Sequence, residues 1–182
     1  MPNIQNGNEL ISGEVFSKIS IEEGMMIGDL GCGNLGFFAL AAAKRVGKRG
    51  IVYAVDILKS ALEAVSARAK NEGLENVKTV WSNLEIFGAT KIPESSLDVA
   101  FIHNMLFQSQ RDDHIMKESY RLMRPGGSLM VIDWLKTGAP FGPPVGDRLN
   151  PGDVKKMALS ANLNLVEEFS AGPYHFGLIF RK

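Results

Sequence analysis

With 182 residues, the chain is long enough for one domain with a sizeable core and short for two. Hydrophobic residues make up 45% and charged residues 22%, which excludes general disorder. Twenty basic residues balance twenty acidic ones, ten of each in either half, so no basic face is written into the composition and nucleic acid is not the expected partner.

The hydrophobic period alternates between strand and helix along most of the chain. Residues 25–30 read as a short buried strand, and a glycine-rich turn runs from Gly31 to Gly36. Phe37 to Val46 read as an alanine-rich helix stopped by Gly47 and Gly50. Ile51 to Val55 form a second strand ending at Asp56. Lys59 to Asn71 form an amphipathic helix with Leu58, Leu62, Val65 and Ala69 on one face, closed by Gly73. A third strand, Val77 to Trp81, precedes an irregular stretch, and the apolar run Leu97 to Ile102 is the fourth strand. Asp112 is placed to cap a helix that the Arg124-Pro125-Gly126-Gly127 step stops, ahead of a fifth strand over Ser128 to Ile132.

Lys136 to Pro151 contains four prolines and three glycines, too many for regular structure, so it reads as a loop. A helix over Pro151–Ala161 and two strands, Leu163–Phe169 and Tyr174–Phe180, complete the chain. Strands alternating with helices imply crossover connections and a parallel sheet. The last two strands have no helix between them and must pair as an antiparallel hairpin. The expected fold is therefore α/β, a doubly wound Rossmann-like sheet of seven strands whose last strand is antiparallel.

Gly31-Cys32-Gly33-Asn34-Leu35-Gly36 has the G-x-G-x-x-G spacing between a strand and a helix. Such glycines bring backbone N–H groups close to a ligand at the positive end of a helix dipole. Asp56 ends the next strand 20 residues after Gly36, where a carboxylate can accept from two ribose hydroxyls. Loop and acid together point to a nucleoside-type ligand. Asp29, two residues before the first glycine, bears on which one. A pyrophosphate docked ~6 Å from that carboxylate would cost roughly 3 kcal/mol at an effective dielectric near 20. A ligand carrying an ammonium group would gain instead, so the charge pattern favours S-adenosylmethionine over a dinucleotide.

These residues resemble a class I S-adenosylmethionine-dependent methyltransferase of the small ubiquinone/menaquinone-biosynthesis-like kind, over roughly residues 24 to 182. The resemblance rests on Ile27-Gly28-Asp29-Leu30-Gly31-Cys32-Gly33, Ala54-Val55-Asp56, Leu97-Asp98-Val99-Ala100-Phe101 and Leu122-Met123-Arg124-Pro125-Gly126-Gly127. It implies that Asp29, Gly31, Cys32, Gly33, Asn34 and Gly36 form the cofactor loop and that Asp56 holds the ribose. It further implies that Ile57 lies beside the adenine and Asn83 near its amino group. The third glycine of the family pattern is displaced here from the position of Leu35 to Gly36.

Methyl transfer is a displacement in which the protein mainly positions the acceptor and sometimes removes its proton. In a doubly wound sheet the reacting centre lies beyond the carboxyl ends of the strands. Strand four ends in His103-Asn104-Met105 and strand five in Asp133-Trp134. His103 is a candidate base or substrate contact and is also placed to touch the cofactor, its other reading being a backbone or loop partner. Asn104 is a candidate partner of the methionine carboxylate or of the acceptor. Trp134 is either a flat substrate wall or a core residue. Some small relatives share the Asp133-Trp134, Gly142-Pro143-Pro144 and Arg148 pattern, which makes Asp133, Trp134 and Arg148 candidate substrate residues. Asp112, Asp113 and His114 read as a helix start, so no metal is expected. Lys44, Arg45, Lys48 and Arg49 read as a helix-end cluster that offsets the dipole.

The expected organisation is one domain: a helical segment over 1–23, a cofactor core over 24–135, a loop or lid over 136–150, and a closing helix and strand pair over 151–182. The expected activity is methyl transfer from S-adenosylmethionine to a small molecule, yielding S-adenosylhomocysteine. The alternatives are a nicotinamide-dependent oxidoreductase, NAD(P) taking the glycine loop, and a non-catalytic S-adenosylmethionine-binding partner subunit. The single Cys32, the absence of a signal-peptide pattern and of any ~20-residue apolar run fit a cytoplasmic monomer or homodimer.

Overall fold

A computed structural model describes residues 13–109, 112–137, 139 and 141–182. The expected helical segment over 1–23 lies partly outside the described residues; inside them a short 3-10 turn covers Gly13–Ser17. Seven strands form one sheet: β1 (Met26–Leu30), β2 (Ile51–Asp56), β3 (Val77–Trp81), β4 (Leu97–His103), β5 (Met123–Trp134), β6 (Asn164–Ser170) and β7 (His175–Arg181). Four helices accompany them: α1 (Phe37–Val46), α2 (Lys59–Asn71), α3 (Asp112–Leu122) and α4 (Pro151–Ser160). The strand order is β3-β2-β1-β4-β5-β7-β6. β7 runs antiparallel to both β5 and β6, and the other pairings are parallel.

Each face of the sheet buries its own core. Val99, Phe101, Met130 and Ile132 face Phe38, Ala42, Val46 and Val65 of α1 and α2. Ala100, Ile102, Leu129 and Val131 pack with Ile115, Met116 and Leu122 of α3 and with Val154 and Ala158 of α4. The alternation along β4 and β5 is what splits these sets, since successive strand residues point to opposite faces. Two-sided burial explains why both strands read as continuous apolar runs. β1 and β4 are neighbours while β2 and β3 extend away from them, so the strand order reverses there and a crevice opens at the carboxyl ends.

Several limits shift by one or two residues from expectation, β6 and β7 by one at each end, and two differences change the local structure. β5 begins at Met123, five residues before Ser128, and takes in the Arg-Pro-Gly-Gly step. Leu97 pairs with Met123 and Val99 with Ser128, so the step bulges out between two paired positions. Arg124 pins the bulge through Asp98 at 2.6 Å. At Gly127 a Cβ would stand 2.9 Å from the carbonyls of Arg124 and Leu97, which only glycine accommodates. Asp112 is the first residue inside α3 rather than the cap before it. α4 keeps its expected start, because Asn150 accepts the N–H of Gly152 at 2.8 Å with Pro151 at the first helical position. Among the described residues no helix is long and apolar enough to cross a membrane.

Candidate active site

At the carboxyl ends of the strands lies a cleft of about 1080 Å³. That is the upper end of the size range for one ligand, and it leaves room for a second beside the first. One end is polar. Gly31, Gly33 and Asn34 come from the loop after β1, Asp56 ends β2, and Asn83 follows β3. The N–H groups of Gly31 and Cys32 both donate to Val55 O, at 2.8 and 3.0 Å, which ties the loop to β2. Gly33 has φ 60°, and a Cβ there would meet nothing within 4 Å, so its backbone faces open space. Asp56 accepts from Gly33 N–H and from Leu58 N–H, both at 2.9 Å, one on each oxygen. Each oxygen keeps a lone pair for a further donor. Ile57 and Leu58, 53% and 60% exposed, offer apolar surface beside that carboxylate.

A bound nucleoside with an amino-acid tail fits this arrangement: carboxylate for the ribose, open glycine backbone for the tail, apolar face for the base. Asn83 lines the same end, its Oδ1 already accepting Glu85 N–H at 2.9 Å.

Three residues expected at the cofactor stand behind the loop instead. Asp29 is fully buried; its Oδ2 accepts Ala39 N–H at 2.8 Å and its Oδ1 meets His103 Nε2 at 3.0 Å. Both oxygens are thus directed into the protein, which corrects the expectation that this carboxylate meets a ligand ammonium group. Cys32 is buried, its thiol pushed up by burial and by the Asp29 and Asp56 carboxylates. It faces the core, as a thiol rather than a reactive thiolate. Gly36 precedes α1 at φ 57°, and a Cβ there would meet Val65 Cγ2 at 2.7 Å. Its role is close packing of α1 on α2.

The other end of the cleft is apolar and aromatic: Met105, Phe107, Ile115, Trp134 and Phe141, with Asn104 and Gln108 among them. His103 lines the cleft with its ring stacked on Phe38, centroids 4.4 Å apart. Its Nε2 is committed to Asp29, so the histidine enters the site as a fixed wall, and that nitrogen is no base for an acceptor. Asn104 adopts φ 48°, and its N–H bonds Ile132 O at 2.9 Å. This left-handed residue turns the chain out of β4 and into the cleft lining.

Asp133 and Arg148, expected at the substrate, lie behind this end and do not line it. Asp133 is fully buried and accepts N–H groups from Leu106 at 3.0 Å and Trp134 at 2.8 Å, with Met105 and Phe107 beside it. Burial pushes its carboxyl up to about 6 against those donors. Its role is to hold the turn after β4. Arg148 is buried among loop carbonyls. Trp134 is 4% exposed, a core residue that also lines the cleft. Sequence reasoning gave no site role to Leu58, read on a helix face, or to Met105, read only as the end of strand four, and did not single out Phe107 or Phe141. Leu58, Met105 and Phe141 each adjoin a residue already singled out and Phe107 lies two positions past Met105, so extending each strand end and loop motif by a few positions is the signal that finds them.

The helix-start acids and the basic cluster find local partners. Asp113 pairs with Lys117 at 3.0 Å, Lys44 with Glu72 at 2.7 Å and Arg49 with Glu23 at 3.0 Å.

A family model described as a methyltransferase domain matches residues 21–156. The chain belongs to the methyltransferase-domain family. This domain is 36% identical over 122 residues to a ubiquinone/menaquinone biosynthesis C-methyltransferase of Hydrogenovibrio crunogenus, covering 66% of this chain and 46% of that one. It is 28% identical over 120 residues to a demethylmenaquinone methyltransferase of Geobacillus kaustophilus, covering 66% and 50%. The chain thus spans about half the length of the curated relatives it matches. A crystal structure of a S-adenosylmethionine-dependent methyltransferase from Aquifex aeolicus superposes with a TM-score of 0.87 at 24% identity, covering 97% and 93%. The methyltransferase fold extends over both ends of the cleft.

Proposed function

We propose that this domain transfers a methyl group from S-adenosylmethionine to a small, ring-bearing, largely apolar acceptor of the quinone-precursor kind. The observation that carries this is one cleft with two differently furnished ends, polar where β1 to β3 finish and aromatic where β4 and β5 finish. The names of the relatives, which concern ubiquinone and menaquinone biosynthesis, supply the acceptor class.

When bound, S-adenosylmethionine supplies a methyl group on a positively charged sulfur, already activated toward displacement. Asp56 accepts the ribose hydroxyls on the lone pairs left by Gly33 and Leu58, and Gly33 lets the tail approach the backbone. Ile57 and Leu58 cover the base, and Asn83 borders it. Asn104 stands at the junction of the two ends, in reach of the methionine carboxylate or the acceptor. Met105, Phe107, Trp134 and Phe141 exclude water and orient the ring, which is where a displacement gains most from its enzyme. The acceptor takes the methyl group, gives up one proton, and leaves S-adenosylhomocysteine behind. The lone Cys32 suits a reducing compartment, and we place the reaction in the cytoplasm.

The test has two steps. Calorimetry should give micromolar binding of S-adenosylmethionine and S-adenosylhomocysteine and negligible binding of NAD(P); the reverse order would favour the nicotinamide alternative. Labelled cofactor is then offered with short-chain demethylmenaquinone, oxidised and reduced, and with simple phenols. Transfer of label to a ring supports the proposal. Binding without transfer to any of them supports a partner subunit instead.

A further inference from the structure

The acceptor end of the cleft is bounded by irregular backbone, and one side chain fastens that backbone. Arg148 is 2% exposed. Its Nε donates to Pro143 O at 2.9 Å, its Nη1 to Leu135 O at 3.1 Å and Thr137 O at 2.7 Å, and its Nη2 to Phe141 O at 3.0 Å. Four of its five N–H groups therefore go to carbonyls of one loop. Its Cζ stands 5.3 Å from the centroid of Trp134. Among the described residues no carboxylate pairs with it.

A buried cation without an acid is costly, and here charge-assisted bonds to carbonyls and the face of an indole take the place of a counter-ion. The planar fork is what reaches four carbonyls at once; an ammonium group is a single point and cannot. Two of the carbonyls, those of Phe141 and Pro143, flank Gly142, and all three residues line the cleft beside Trp134.

We propose that Arg148 is the positioning residue of the acceptor subsite. It meets neither ligand; it fixes the backbone at Leu135, Thr137, Phe141 and Pro143 beside Trp134, so that Trp134, Phe141 and Pro143 present a rigid wall to the acceptor ring. This rests on the acceptor reading given above, and the test separates the two.

The protein has two tryptophans, so Trp81→Phe leaves Trp134 as the sole reporter. In that background Arg148→Met and Arg148→Lys are compared with the parent, all with S-adenosylhomocysteine bound. Both variants should keep S-adenosylhomocysteine affinity within threefold. Acrylamide should quench Trp134 at least threefold more strongly, and trypsin should cut after Lys136 at least tenfold faster. With whichever acceptor turns over, kcat/KM for the acceptor should drop at least tenfold while KM for S-adenosylmethionine stays constant. The proposal is overturned if quenching of Trp134 and cleavage after Lys136 stay as in the parent, or if lysine restores the parent behaviour. It is equally overturned if cofactor affinity falls in step with loop loosening, or if acceptor kinetics ignore it. Should Arg148→Met not accumulate folded, Arg148→Lys carries the same measurements. A panel without any turnover sinks the acceptor reading alone, and shielding and cleavage still decide the clasp.

Discussion

Asp29 and His103 meet at 3.0 Å beneath the glycine loop and join the carboxyl ends of β1 and β4, strands paired in parallel. The other carboxylate oxygen of Asp29 takes the N–H of Ala39 in the first turn of α1, so one side chain ties strand, strand and helix together. Asp29→Ala leaves a buried imidazole and a buried N–H without their acceptor. It should cost about 3–5 kcal/mol of stability in urea unfolding, and Asp29→Asn about half as much, since one oxygen survives. A variant as stable as the parent that has lost cofactor affinity would return Asp29 to the ligand.

Asp56 joins the loop after β1 to the start of α2 and, in our proposal, both to the ribose. Asp56→Ala should weaken S-adenosylhomocysteine binding by about 1.5–3 kcal/mol, because charge-assisted acceptance of two hydroxyls disappears. Asp56→Asn keeps one oxygen and should fall between the two in the same calorimetric titration. Unchanged affinity in the alanine variant would remove Asp56 from the ribose site.

How far these roles were readable beforehand follows from how local each one is. The limits of α1 and α2 agree with the sequence because flanking Gly36, Gly47 and Gly73 set them within a turn of the chain. Gly31, Gly33, Asp56, Ile57 and Asn83 line the cleft; strand end and loop spacing point to the first three, and the family resemblance to Ile57 and Asn83. The start of β5 was hidden because Arg-Pro-Gly-Gly reads as a stop, while its bulge depends on Asp98 and Leu97 of a different strand. For Asp29, Asp133 and Arg148 the chemistry was visible and its direction was not. A carboxylate at a strand end looks the same in sequence whether it faces a ligand or a backbone N–H. Asp133 accepts from backbone N–H groups, that of Leu106 27 residues away among them, and the partners of Arg148 are carbonyls; backbone groups carry no sequence signal. His175 gave no signal either.

Asp133 and His175 sit on neighbouring, paired strands, and their titrations oppose each other. Asp133 is pushed up to about 6 by burial, so the folded chain keeps a proton that the unfolded chain loses near 4. Its contribution to stability therefore declines as pH rises from about 4 to 6. His175 is fully buried and held down at about 4, by burial and then by the charge of Arg148, with neither ring nitrogen hydrogen-bonded. Its contribution is present above about 6.5 and fades as pH falls toward 4. Each amounts to roughly 3 kcal/mol, and in the parent they largely cancel. Urea midpoints between pH 4.5 and 7 should expose them separately: relative to the parent, Asp133→Asn should lose stability on acidification and His175→Leu should lose it on raising the pH. Parallel curves for all three proteins would refute both assignments.

Gly142 marks where the loop touches the sheet, and it sharpens the account of the acceptor wall. It holds φ 88°, a conformation that costs other residues about 1 kcal/mol or more. A Cβ there would also stand 2.8 Å from Cη2 of Trp134, with two more ring atoms at 2.9 Å. Gly142→Ala is thus opposed by strain in its own backbone and by overlap with the indole. Phe141 and Pro143, held on either side by Arg148, prevent the loop from simply sliding away. We expect a loss of about 2–3 kcal/mol in stability, with S-adenosylhomocysteine affinity within roughly threefold of the parent. Trp134→Phe gives the alanine methyl room without touching φ. The double variant should therefore recover part of the loss, a coupling of about 1 kcal/mol, and leave the backbone share. Simple additivity of the two substitutions would mean that the loop does not rest on Trp134, and the wall proposed for the acceptor would have no fixed backing.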